Sequence, residues 1–136
     1  MRITVEVTVR APVEEVWRAY TTPADIVEWN AASDDWHTTE ARVDLREGGE
    51  FSSRMEARDG SAGFDFAGTY VRIVEHELIE YAFGDRVAEV AFAERDGATT
   101  VTVTFDPETE HPVELQRAGW QAILDRFGAH VEQRTP

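Results

Sequence analysis

The chain has 136 residues, no cysteine and a net charge of −14, from 13 basic against 27 acidic side chains. That length suits one domain around one core, spanning residues 1–136. The missing cysteines exclude disulfides, thiolate catalysis and cysteine-ligated zinc, and an acidic surface repels phosphate backbones and anionic headgroups, so no nucleic-acid partner is expected.

From Arg2 to Arg10 the apolar residues Ile3, Val5, Val7 and Val9 alternate with Thr4, Glu6 and Thr8, the pattern of a strand with one wet face. This start lacks the continuous apolar stretch of a signal peptide, and no later run is long enough to span a bilayer. A cytoplasmic protein with no membrane insertion is the resulting expectation. The period then changes. Pro12 suits a first helical position, Glu14 and Glu15 complement the helix dipole, and Val13, Val16, Trp17 and Tyr20 share an apolar face. Thr22-Pro23-Ala24-Asp25 has the form of a capping box opening a second short helix with Ile26, Val27 and Trp29.

Six strands are expected next, near 38–45, 50–57, 64–75, 78–83, 87–95 and 99–106. Gly48-Gly49, Asp59-Gly60, Gly84-Asp85 and Asp96-Gly97 supply positive φ angles for the turns. After Pro112, the residues Trp120, Ile123, Leu124, Phe127 and Val131 recur at helical spacing opposite Glu114, Arg117, Gln121, Asp125 and Glu132. The fold class is therefore α+β: a curved seven-stranded antiparallel sheet wrapped around a long C-terminal helix, with two short helices after the first strand.

The chemistry is less explicit. No two of His37, His76, His111 and His130 have the spacing of a local metal site, so no metal is assigned. Ser33, Ser52, Ser53 and Ser61 lack a nucleophile elbow, and Gly48-Gly49 is too short to cradle a phosphate, so neither a catalytic residue nor a cofactor is assigned. Aromatic and polarizable side chains are the main functional signal. Trp29, Trp36, Phe51, Met55, Phe66, Tyr70, Tyr81, Phe83, Trp120 and Leu124 are the candidates for the wall of a ligand cavity. The same residues can instead fill a solid core. Tyr70 and Tyr81 each need a hydroxyl partner if buried, and such a hydroxyl can orient the polar end of a ligand.

Ala11-Pro12-Val13-Glu14-Glu15-Val16-Trp17, Thr21-Thr22-Pro23 with Trp29, Gly48-Gly49-Glu50-Phe51 and Gly119-Trp120, in this order and spacing, resemble the activator of heat shock protein 90 ATPase homologue-like family. That family lies within the START and Bet v 1-like (SRPBCC) superfamily of helix-grip domains. The resemblance implies a cavity between sheet and C-terminal helix, used in relatives for lipids, sterols, plant metabolites and polyketides. The first functional expectation is thus the binding or carrying of a hydrophobic or aromatic, lipid-like or polyketide-like small molecule. The alternatives are a cyclase- or hydrolase-type enzyme acting on such a compound and a cochaperone-like module that contacts a chaperone. Homodimer formation through exposed sheet edges stays open.

Overall fold

The structure, a computed structural model, describes residues 2–134. Its elements are β1 (Ile3–Val9), α1 (Val13–Thr21), α2 (Pro23–Trp29), β2 (Trp36–Val43), β3 (Glu50–Ala57), β4 (Gly63–Val74), β5 (Leu78–Phe83), β6 (Arg86–Arg95), β7 (Ala98–Phe105) and α3 (Val113–Arg134). All seven strands form one antiparallel sheet in the order β1-β7-β6-β5-β4-β3-β2. β2 to β7 are thus a meander of sequential neighbours, and β1 closes onto β7 from the start of the chain. Gly48, Gly60, Gly84 and Gly97 have positive φ, as do His76 and Asp96, so the expected turn residues are where the chain reverses.

Period-two alternation sends Val5, Val90, Val101, Val103 and Phe105 into the core, and α3 lies across them with Phe127 and Val131 buried. Gly128 brings this helix close to β1: a Cβ there would stand 3.2 Å from Val7 Cγ2 and 3.5 Å from Val9 Cγ2. Side chains of α3 also satisfy backbone groups of β1 and the residue after it. Gln121 Nε2 donates to the Glu6 carbonyl at 2.9 Å, and the Arg10 N–H donates to Glu132 at 2.9 Å.

Two local expectations are corrected. Pro12 precedes α1 as its N-cap residue instead of occupying the first turn. Thr22 does precede α2, with Pro23 just inside, but its side chain caps nothing, and no capping box forms. The Asp25 carboxylate is engaged elsewhere, by His130 Nε2 at 2.9 Å and Arg134 Nε at 3.6 Å, so it ties α2 to α3. No helix among the described residues is long and apolar enough to cross a membrane.

Candidate functional site

The connection between β2 and β3 sets one wall. The N–H of Gly48 donates to the Tyr70 carbonyl, and the N–H of Tyr70 donates to the Gly49 carbonyl, both at 2.8 Å. Gly49 is required here, because a Cβ would fall 2.1 Å from the Asp44 carbonyl oxygen. This clamp lies beside the bulge between Tyr70 and Arg72 in the β4–β5 ladder and fixes the direction of Tyr70. Gly68, one step along the same face, leaves room for the Phe51 ring. A Cβ on Gly68 would lie 2.8 Å from Phe51 Cζ and 2.3 Å from the Ala82 carbonyl oxygen.

Phe51 consequently packs over Tyr70, Tyr81 and Phe66, with ring centroids 5.2, 5.0 and 5.9 Å away. Opposite this aromatic floor, α1 and α2 contribute Tyr20 and Trp29, whose centroids are 5.2 Å apart and which both meet the edge of Phe127. A buried bond from Trp29 Nε1 to the Ala19 carbonyl, 3.0 Å, locks α2 to α1. Thr38 Oγ1 donates to the Asn30 carbonyl at 2.6 Å and fastens the end of α2 to β2. On the third side, Trp120 stacks on Phe105 at 3.9 Å with planes 9° apart, and Ile123 and Leu124 follow it along α3.

These walls border a mostly apolar, partly open cavity of about 110 Å³ between the sheet, α3 and the α1–α2 pair. Its lining includes Trp29, Phe51, Phe66, Tyr70, Tyr81, Trp120 and Leu124 from the sequence-derived candidates. The other three candidates stand outside the lining. Trp36 opens β2 and packs against Phe64 at 5.8 Å, and Met55 pairs with Thr38 and Phe64 one step of the alternation beyond Ser53. Both lie past the end of the cavity, because the inner apolar face runs farther along β3 and β4 than the space beneath α3. Phe83 sits behind Phe66 and Trp120, at 5.5 and 5.8 Å, with the Arg86 guanidinium 4.5 Å above its ring. Sequence reasoning missed Tyr20, Ile26, Asn30, Arg42, Val43, Ser53, Ile79, Val103 and Ile123 as lining residues. Apart from Asn30, which read as part of the loop after the second helix, they read as ordinary helix-face or strand positions, and only Tyr20, an amphipathic residue on an apolar stripe, carried a distinguishing signal.

The polar part of the site consists of Asn30, Arg42, Ser53 and all three tyrosines of the chain. Among the described residues no protein group hydrogen-bonds the hydroxyl of Tyr20, Tyr70 or Tyr81. Among the described residues no side-chain oxygen cut off from open space lacks a partner, so these three oxygens reach open space, and all three residues line the cavity. Burial pushes all three hydroxyls up in pKa, Tyr70 to about 12 with a smaller contribution from Asp44. Tyr81 feels both other tyrosines and Tyr20 feels Tyr70, so the hydroxyls belong to one electrostatic neighbourhood. They are neutral O–H groups near pH 7, able to donate or accept. Outside the cavity, Glu108, Glu110 and His111 bring three potential ligand atoms within 4.8 Å at the surface before α3, where Glu108 already accepts from the His111 backbone N–H.

A model of the family described as "Activator of Hsp90 ATPase homolog 1-like protein" matches residues 10–132. No curated protein matches the chain. Among solved structures, the AHSA1-like protein from Aeromonas hydrophila is 47% identical with a TM-score of 0.93, covering 98% of this chain and 94% of its own. The protein Chr148 from Cytophaga hutchinsonii is 45% identical with a TM-score of 0.84, covering 98% and 93%. CV1439 from Chromobacterium violaceum is 25% identical with a TM-score of 0.86, covering 97% and 98%. The matched span and the helix-grip architecture agree, and the chain belongs to the activator of Hsp90 ATPase homologue 1-like family of the Bet v 1-like superfamily.

Proposed function

We propose that the protein binds a small hydrophobic or aromatic molecule in the cavity between the sheet and α3. The observation that carries this reading is an aromatic-lined space left open beneath Trp120, Ile123 and Leu124 while the neighbouring core, around Phe105 and Phe127, is fully buried. Most of the core is closed by packing to the density of organic crystals, so a concave apolar pocket left partly open beside it is a departure that asks for an occupant. Its scale narrows the ligand. A cavity of roughly 150 Å³ accepts benzene, whereas pockets for drug-sized ligands run to about 300–1,000 Å³. At about 110 Å³ the space suits one ring. A lipid chain or a multi-ring polyketide enters only if wall side chains swing aside, and Phe51, Phe66 and Trp120, each only partly buried, are the ones with freedom to do so.

The test is a thermal-shift screen of single-ring and two-ring compounds against the whole chain. Saturable, concentration-dependent stabilisation by single-ring compounds is expected, since a ligand that binds only the folded state raises stability by RT ln(1 + [L]/Kd). No stabilisation by any ring compound at millimolar concentration removes the proposal.

A further inference from the structure

The three tyrosine hydroxyls are harder to explain as packing than the aromatic rings that bear them. Tyr70 and Tyr81 are each 7% exposed, yet neither hydroxyl has a protein partner. Their oxygens still reach open space, so what they lack is a bonding group supplied by the fold, and phenylalanine would supply the same ring with no oxygen left to satisfy. The placement is also convergent. Tyr70 and Tyr81 are direct cross-strand partners on β4 and β5, and Tyr20 reaches the same cavity from α1 on the other side. Among the described residues no hydrogen bond joins two of the hydroxyls, so each can bond a guest in the cavity.

We propose, building on the binding reading above, that Tyr20, Tyr70 and Tyr81 form the polar pole of the cavity and that its ligand is a neutral single-ring molecule carrying an oxygen acceptor, of the phenol or cyclic-ketone class. Such an oxygen takes two O–H donors through its two lone pairs while the ring lies against Phe51, Phe66 and Leu124. A neutral ligand follows from the surroundings. Among the described residues Arg42 is the only charged one in the lining, and its exposed guanidinium is already engaged by Glu40 at 2.8 Å. No carboxylate lines the space to receive a cation, and the net charge of −14 repels anions. The same burial that keeps the tyrosines protonated disfavours a charged guest. With no lysine in the sequence, a ketone has no side-chain amine to form an imine with and is held by hydrogen bonds alone.

The probes are phenol and toluene, which match in size and differ in the hydroxyl, together with benzoate as the anionic counterpart. Each is titrated by NMR against the full chain and against Tyr70→Phe/Tyr81→Phe. Two neutral hydrogen bonds correspond to a factor of about ten or more in affinity. The ratio of phenol to toluene affinity should therefore fall about tenfold in the double variant, while toluene binding persists and reports that the variant is folded. Toluene binding with an unchanged ratio would overturn the polar pole and leave the cavity reading intact. Benzoate binding more tightly than phenol would overturn the neutral ligand class. Failure of both phenol and toluene to bind the unaltered chain would overturn the cavity reading and this one with it.

Discussion

Replacing a buried tyrosine by phenylalanine usually costs stability, because the hydroxyl's hydrogen bond is lost; here the structure predicts the opposite. A tyrosine whose hydroxyl is bonded contributes about 0.5–1.5 kcal/mol through that bond. Tyr70 and Tyr81 have no such bond to lose and are 7% exposed. A sealed, unsatisfied hydroxyl carries a desolvation penalty of about 1–3 kcal/mol; these oxygens reach open space and keep partial access to water, so removing one relieves only part of that penalty. The void left by one oxygen returns a few tenths of a kcal/mol at about 24 cal/mol per Å³. Tyr70→Phe and Tyr81→Phe are each expected to stabilise by about 0.5–1 kcal/mol, set against those opposing contributions. Urea unfolding of the ligand-free protein should show a higher midpoint at unchanged slope, with the melting temperature rising by about 3 °C per kcal/mol for a domain of this size. A loss of more than about 0.5 kcal/mol in either variant would show that the hydroxyl is bonded within the fold and refute the reasoning. A gain is what a site held ready for a ligand, at the expense of stability, should give.

Gly68→Ala should destabilise by about 1–3 kcal/mol, as overpacking does, because its Cβ meets the Ala82 carbonyl at 2.3 Å and the Phe51 ring at 2.8 Å; a change within about 0.3 kcal/mol in urea unfolding would contradict the proposed closeness of β4 to Phe51. Leu124→Ala, at a lining residue only 3% exposed, should cost about 2–5 kcal/mol while enlarging the cavity, so naphthalene should bind this variant better than the unaltered chain by thermal shift; equal binding would mean that Leu124 does not limit the space. The carboxyls of Asp106 and Glu132 lie below the usual range, the first chiefly through the Val87 N–H and then Arg2, the second chiefly through the Arg10 N–H. Their folded-state pKa values are below the unfolded ones, so the unfolded chain binds more protons in acid. Their contribution is present above the unfolded values of about 4 and is lost as pH falls through the lower folded ones. Asp106→Asn should therefore flatten part of the stability loss below about pH 4, and an unchanged acid profile in urea unfolding would argue that the Val87 and Arg2 contacts do not matter in solution.

The architecture was largely legible because its signals are local. Alternating valines mark β1 and β7, Gly60, Gly84 and Gly97 mark reversals, and α3 shows its apolar side through Leu124, Phe127 and Val131. The capping box before α2 misled for a physical reason: Asp25 has a partner 105 residues away in His130, and a tertiary contact outcompeted the local one. The cavity was legible only as a set of faces. Period two puts Phe51, Ser53 and Met55 on one side of β3, but it does not say where α3 stops covering them, which separates Ser53 from Met55. Tyr20 was hidden for a related reason, since a helix stripe does not reveal that α1 turns one of its members toward β4 and β5. Gln116 escaped notice altogether. It is buried at the start of α3, where its side chain bonds the backbone of Glu108 and His111 and holds the connection from β7 in place.

The central claim is that a ring binds between the sheet and α3, and intermolecular NOEs between bound toluene and the methyl-labelled protein test it most directly. The account predicts contacts to Ile26, Val43, Ile79, Val103, Ile123 and Leu124, which line the cavity. Contacts to the exposed methyls of Leu45, Val71 or Leu115 instead, or none at saturating toluene, would contradict it.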